Sequence, residues 1–269
     1  GEALFVRRPN GMIPTYAGEC LVRKAYQIMK LYDDVEMEFC ELNQMHRGVL
    51  RLGTAERLGA LVLPELLLNF KRQYPNIKIE IVEENSMDLE EKLLIGALEI
   101  AILCLPLKNA NVSYQVFYED PIYVALPSGH PLNDRAYQKE GSGEKYLDLE
   151  KLRGEEFILT RHVKKTRMAA DRILANLGND YEVMMESANI ETVIRLVASG
   201  LGISLIPSIF ARTYKTGDKI KYYRIEERYH PVWQWAVIYA DSIENLTRPS
   251  KELYRILCEK GCQLPNYIE

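Results

Sequence analysis

The first strong run of apolar positions extends from about residue 17 to residue 45. Leu21, Ala25, Ile28, Tyr32, Val35, Phe39 and Leu42 lie alternately four and three residues apart, an a/d seam three heptads long. Arg23, Lys24, Lys30, Asp33, Asp34, Glu36, Glu38 and Glu41 fill the positions between. So narrow a stripe buries itself best against a twin, which predicts a dimerising helix; the alternative is a helix packed on its own domain. Ahead of it, two short apolar pieces flank Pro9-Asn10-Gly11, residue types that suit a tight hairpin turn. Thr15 suits the N-cap of the helix. Arg7 and Arg8 on such a hairpin are either phosphate contacts or a solvated surface pair.

From Gly48 onward the texture changes. The pattern predicts a strand over 49–53, a helix to about 74, an alternating strand over 77–83, a helix over 87–96 and a buried apolar strand over 98–103. Two further strands are expected at 114–119 and 122–126. After a loop rich in turn formers, the order starts again: strand 157–160, helix 164–177, strand 181–186, helix 190–199, strand 203–206. The two runs share an order of elements and barely any residues, a structural echo rather than a sequence repeat. Strands alternating with helices imply two parallel, doubly wound α/β sheets, and ligands bind outside the carboxyl ends of such strands.

Composition narrows the function. Of 269 residues, 47% are hydrophobic and 27% charged, as in an ordinary folded chain. Lys+Arg 34 against Asp+Glu 38 leaves a formal net charge of −4, so any nucleic-acid contact has to come from a local patch. No apolar run is long enough for a membrane helix, and residues 1–15 lack the layout of a secretory signal, so a cytoplasmic protein is expected. Five cysteines (Cys20, Cys40, Cys104, Cys258, Cys262) are an odd number, unlike a disulfide framework. Cys258 and Cys262 have no further soft ligand nearby in sequence, so reduced thiols, no metal and no cofactor are expected.

Several blocks, in order, resemble the LysR-type transcriptional regulators. Leu4-Phe5, Arg8, Thr15 and Ala17-Gly18 look like the family's wing and the start of its linker helix. Gly48-Val49-Leu50-Arg51-Leu52-Gly53, Leu63-Pro64, Phe70 and Tyr74-Pro75 look like the opening of its effector domain. Leu93, Gly96-Ala97-Leu98-Glu99-Ile100-Ala101-Ile102, Leu126-Pro127, Gly129-His130-Pro131-Leu132, Leu196-Val197-Ala198, Gly200-Leu201-Gly202-Ile203 and Ile206-Pro207 continue the series. The resemblance implies a wing remnant over 1–16, a dimerising linker helix over 17–47 and two subdomains like those of type 2 periplasmic binding proteins. Subdomain I takes 48–125 and 235–269; subdomain II takes 126–234. The family carries a winged helix-turn-helix head, and this chain begins inside its wing. The reading helix lies ahead of the first residue, and a piece of a longer regulator is expected, with DNA bound through that missing head.

Helix N-termini at the cleft side meet anions best, through unpaired N–H groups and the positive dipole end. The first expected site is Thr54-Ala55-Glu56-Arg57, where the family commonly has Ser or Thr; Arg57 either clamps a carboxylate or is a solvated first-turn residue. Ser86 is a ligand-contacting hydroxyl, a plain N-cap, or both. Arg161, Lys164, Lys165 and Thr166 crowd the start of a helix, where cations oppose the dipole unless something anionic offsets them; solvated lysines are the alternative. Ile190 and Cys104 complete the effector set. Together these residues imply a small acidic effector, and the resemblance implies a homo-dimer or tetramer and no membrane.

Two rivals share the fold. A stand-alone solute-binding protein would have the same ligand chemistry, but no use for the heptad helix. An enzyme is poorly supported, since the chain has no Gly-x-Gly-x-x-Gly, phosphate loop or nucleophile elbow, and His46, His130, His162 and His230 lack metal-ligand spacing.

Overall fold

The computed structural model describes residues 2–8, 11–42 and 48–258. The Pro9-Asn10 turn, the end of the linker segment at 43–47, the residues after 258 with Cys262, and the side chains of Arg8, Phe39 and Leu42 lie outside the described residues.

Strands β1 (Phe5–Arg8) and β2 (Gly11–Pro14) pair antiparallel, with Arg7 opposite Met12. They lead into helix α1 (Tyr16–Leu42). Thr15 caps it as expected: its Oγ1 accepts the Gly18 N–H at 3.1 Å and donates to the Ala3 carbonyl at 2.7 Å. Gly18 has to be glycine, because a Cβ there would stand 2.0 Å from the Leu4 carbonyl oxygen. Leu21, Ala25, Ile28, Tyr32 and Val35 are all exposed in the single chain, Ile28 at 67% and Tyr32 at 64%. Gly18 is buried, and Val22 and Tyr26 are half-buried; the heptad stripe is therefore not what the helix lays on its own chain.

Two compact units follow. The first takes the described residues up to Leu103, Leu107–Phe117 and those from Ala236 on; the second takes Cys104–Pro106 and Tyr118–Trp235. In the first unit, β3 (Gly48–Thr54), α2 (Glu56–Gln73), β4 (Ile77–Glu83), α3 (Ser86–Leu94) and β5 (Ile100–Cys104) alternate. Strand β3 lies between β4 and β5 and is parallel to both. Leu50, Leu52, Ile100, Ile102 and Phe70 are fully buried, each contributing roughly 1.5–3 kcal/mol of apolar burial. The continuous apolar run of β5 is buried at every position, whereas on β4, with a neighbour on one side, Ile77 is buried and Ile81 is exposed, so its alternating sequence is not matched by alternating burial.

Strand β6 (Ser113–Pro127) corrects the expectation of two strands at 114–119 and 122–126. It runs unbroken through Asp120-Pro121. Proline removes one N–H, but the next, that of Ile122, donates to the Pro231 carbonyl at 2.7 Å, so the ladder resumes at once. The chain passes from the first unit to the second inside this strand, between Phe117 and Tyr118; the expected limit at 125/126 lies at its far end.

The second unit continues with β7 (Tyr137–Gln138), β8 (Lys145–Tyr146), β9 (Glu156–Thr160), α4 (Lys165–Leu174), β10 (Glu182–Ser187), α5 (Ile190–Ala198), β11 (Ser204–Pro207), α6 (Ser208–Thr213) and β12 (Ile220–Arg224). Strands β9 and β10 are parallel, and Ile203 bridges Phe157 in the same sense. Strands β11 and β12 both pair antiparallel with β6, so this unit is mixed rather than purely parallel. The helix expected over 164–177 ends as an α-helix at Leu174; a 3-10 turn, Ala175–Leu177, follows and Gly178 closes it at φ 64°. Helix α6, strand β12 and the small β7–β8 pair were not expected from the pattern; α6 and the two-residue strands β7 and β8 are too short for a periodicity to show. Strand β13 (Val232–Tyr239) returns the chain to the first unit, where α7 (Arg248–Cys258) packs; Glu99 takes hydrogen bonds from Ser250 at 2.8 Å and from Thr247 at its start.

Candidate functional site

In the first unit the register sets Thr54, the last residue of β3, opposite Glu83, the last of β4. The turns that follow these parallel strands therefore sit side by side, and they carry Thr54, Ala55, Arg57 and Ser86. Thr54 is fully buried and turns its hydroxyl back on the Ala55 carbonyl. Ala55 is the N-cap of α2 and has no side chain able to bond the first-turn N–H groups. Arg57 is exposed in that first turn.

At α3 the structure corrects the capping assignment. The cap is Asn85, not Ser86: Asn85 Oδ1 accepts the N–H of Met87 at 3.0 Å and of Asp88 at 3.1 Å. Ser86 is the first helical residue and half-buried. An Asn directly ahead of Ser is as good a cap as Ser, so sequence alone allowed either register.

The second unit repeats the layout. Thr160 ends β9 opposite Ser187, which ends β10, and the Arg161 N–H donates to the Ser187 carbonyl at 2.9 Å. Helix α5 is capped by Asn189, whose Oδ1 takes the Glu191 N–H at 2.9 Å, and Ile190 is its buried first residue. Helix α4 begins from Lys164, which makes no side-chain cap bond. Of the four helices that follow the parallel strands β3, β4, β9 and β10, two are thus closed by asparagine; the two that carry the cationic residues Arg57 and Lys164–Lys165 are not, and neither is α6 after β11.

The basic cluster is more differentiated than its sequence. Arg161 and Lys164 are exposed; Lys165 reaches the Pro106 carbonyl with its Nζ; Thr166 Oγ1 lies 2.8 Å from Thr160 Oγ1. The residue that sequence reading passed over is Arg167, only 4% exposed. It binds Asp171 at 2.7 Å, the Thr160 carbonyl at 3.0 Å and the Glu186 carboxylate, with His162 Nε2 at 3.3 Å. Burial pulls its pKa down, but the hydrogen bonds it donates to Asp171 and Glu186 outweigh it and hold the guanidinium charge firmly. In return Arg167, ahead of burial and its other neighbours, holds Glu186 below the usual carboxylate range. The i,i+4 spacing of Arg167 and Asp171 was the available signal.

Cys104 ends β5 as a 5% exposed side chain. Burial pushes its thiol pKa well up, the nearby Asp120 carboxylate adds to this, and Lys165 opposes it. A thiol so placed stays protonated and is no nucleophile. Among the described residues Cys20 and Cys104 are free thiols, and no group of three His, Cys, Asp or Glu side chains is arranged to hold a metal ion. No helix among the described residues is long and apolar enough to cross a membrane.

Comparison with known proteins agrees with this layout. Residues 43–245 match the LysR substrate binding domain. The chain is 27% identical over 209 residues to the uncharacterized HTH-type transcriptional regulator YybE of Bacillus subtilis, covering 78% of this chain and 68% of that protein. It is 27% identical over 222 residues to the Hca operon transcriptional activator HcaR of Escherichia coli, covering 82% and 71%. Among solved structures, full-length OxyR from Pseudomonas aeruginosa superposes with a TM-score of 0.70 at 23% identity, covering 94% of this chain and 78% of that one. The effector binding domain of QuiR in complex with shikimate superposes at 0.64 and 18% identity, covering 80% and 97%. The relatives are transcriptional regulators rather than enzymes, and the fold is that of their effector-binding domains, the periplasmic-binding-protein-like α/β architecture expected. The order of the resembling blocks, the twin strand-end layout and the domain match over residues 43–245 converge: this chain belongs to the LysR-type transcriptional regulators.

Proposed function

We propose that the chain is the effector-sensing and oligomerising portion of a cytoplasmic regulator, and that its effector is a small acid. The observation that carries this reading is the contrast among the four helices that follow the parallel strands β3, β4, β9 and β10. Asparagine side chains occupy first-turn N–H groups of α3 and α5, while α2 and α4 start from Ala55 and Lys164 without any side-chain cap. Uncapped N–H groups next to Arg57, Lys164 and Lys165 form anion-binding ends in both units. Thr54, Ala55, Arg57 and Ser86 in the first unit, with Cys104, Arg161, Lys164, Lys165, Thr166 and Ile190 in the second, are the proposed effector residues. Cys104 contributes packing only. The QuiR domain of like fold was solved with shikimate, a carboxylate, which supports the chemical class.

The exposed stripe Leu21, Ala25, Ile28, Tyr32 and Val35 is proposed to pair with a second copy, continued by Phe39 and Leu42. Arg7 and Arg8 are proposed to reach DNA phosphate beside a reading head. An effector shifts such an assembly only by binding its two arrangements with different affinity.

The test is a thermal-melt screen against small organic acids and inorganic anions. An acid at a hundred times its Kd adds about 2.7 kcal/mol to the folded state. A saturable shift that disappears in Arg57→Ala and in Lys164→Ala supports the reading. Equal calorimetric affinity in Arg57→Ala removes Arg57 from the site, and a screen in which no anion shifts the melt overturns the acidic effector.

A further inference from the structure

We infer that the second unit carries another small-molecule site, for a small aliphatic amino acid, at residues separate from the proposed effector set. A surface pocket of about 210 Å³ opens where β6, the end of β12 and the turn before β13 meet. Its polar lining is Glu119, Arg224 and His230, and its apolar wall includes Ile122, Ile225 and Val232.

Each polar group is built in and incompletely used. Glu119 takes a single neutral hydrogen bond, from Gln234 Nε2 at 2.7 Å, and no cation pairs with it among the described residues. Arg224 is fixed by Glu144, at 3.3 Å from its Nε, by a hydrogen bond with Tyr146, and by the Tyr123 ring 5.9 Å beneath its guanidinium carbon. A guanidinium has five N–H donors, so a planar edge remains for a carboxylate. His230 is the one non-glycine residue among the described residues with positive φ, 46°, and its imidazole has no hydrogen-bond partner among them. A histidine held in the left-handed region at a pocket rim is a strained placement of the kind that clusters at ligand sites. The remaining acid of the lining, Glu227, is already taken by Lys139 at 3.0 Å and Tyr146 at 3.2 Å.

The lining therefore offers one unmatched carboxylate, one guanidinium edge and an apolar wall. An amine alone would leave Arg224 facing it; a carboxylate alone would face Glu119. A zwitterion answers both, with its ammonium on Glu119 and its carboxylate on Arg224 and His230. The pocket is smaller than the roughly 300–1,000 Å³ of drug-sized sites, which restricts the side chain to a short aliphatic one.

The experiment is calorimetric titration of the whole 269-residue chain with L-alanine, L-valine and L-leucine, and with isobutylamine and isovalerate, which each keep only one of valine's charges. At least one amino acid is expected to bind saturably, at least about tenfold more tightly than either half-analogue. Glu119→Gln, an exposed substitution that keeps the fold, and Arg224→Lys, which keeps the charge but loses the planar fork, are each expected to weaken it by about tenfold. Absence of saturable binding up to about 10 mM overturns the site. Isobutylamine binding as tightly as valine overturns the zwitterion in favour of a simple cation. Amino-acid binding lost in Arg57→Ala and unchanged in Glu119→Gln moves it to the proposed effector residues.

Discussion

Ser208 Oγ donates to Asp120 Oδ1 at 2.6 Å, and the neighbouring Ile209 N–H donates to Asp120 Oδ2 at 3.2 Å. Both side chains are fully or almost fully buried, Asp120 at 0% and Ser208 at 1%. The pair ties the start of α6 to the middle of β6, and it explains how a short helix without an N-terminal cap of its own is held. Asp120 sits close to the point where the chain changes units, and Cys104 and Tyr118 both feel its charge.

Burial pushes the Asp120 carboxyl up from 3.8 to about 6, although Ser208, Ile209 and the Arg212 charge all pull the other way. The folded state therefore holds the proton more tightly than the unfolded chain. The resulting stability is fully present below pH 3.8 and is lost as pH rises through about 6, on the order of 3 kcal/mol in all. An amide fits the same place, its NH2 on Ser208 Oγ and its oxygen on the Ile209 N–H. Asp120→Asn is expected to raise the melting temperature at neutral pH and to flatten its dependence between about pH 4 and 6.5. Parallel pH profiles for both proteins would show that Asp120 does not titrate in this range.

Arg167→Ala removes a buried cation from between Asp171 and Glu186 and strands the Thr160 carbonyl. A loss of about 3 kcal/mol in urea unfolding is expected. Glu186, held low chiefly by Arg167, contributes stability that is present above its unfolded value of 4.5 and lost as pH falls through its lower folded value. The variant is thus expected to lose that acid-side dependence as well, and an unchanged urea midpoint would remove the cluster from the stability of this unit.

Ile28→Asp places a charge in the exposed α1 stripe without touching the face that carries Val22 and Tyr26. The stability of the dilute chain is expected to stay within about 0.5 kcal/mol of the parent's, while dimer affinity falls by a hundredfold or more, about 3 kcal/mol. Sedimentation velocity over a concentration series reads this. A variant that still sediments as the parent does would mean that α1 does not pair along this stripe.

Gly18→Ala puts a methyl 2.0 Å from the Leu4 carbonyl oxygen, a backbone atom that cannot turn aside. The β1–β2 pair should then be pushed off the start of α1, and the Thr15 N–H, which donates to that carbonyl at 3.0 Å, should lose protection. Amide exchange at Thr15 is expected to quicken about tenfold or more, with amides of β3 and β9 unchanged. Equal exchange in the two proteins would show the hairpin to be held by other contacts.

What was legible in the sequence was what repeats or what needs a particular residue at a particular place. The heptad stripe of α1 and the apolar run of β5 are one-dimensional patterns, because a helix or strand with one environment along its length writes that environment at a fixed period. Thr15 could be read because a helix cap admits few residue types. The tertiary structure alone decided how neighbours divide the work. Whether Asn85 or Ser86 caps α3 depends on which residue the end of β4 delivers to the helix axis. Whether Pro121 breaks β6 depends on where Pro231 offers its carbonyl, and that residue lies more than a hundred positions away. The same holds for charge. Sequence showed a run of cations at 161–165 and suggested a ligand to balance it; folding placed Asp171 and Glu186 on the neighbouring Arg167 and left Arg161 and Lys164 exposed. Local patterns fix elements because their causes are local, whereas hydrogen-bond and charge partners come from distant parts of the chain, and only packing chooses them.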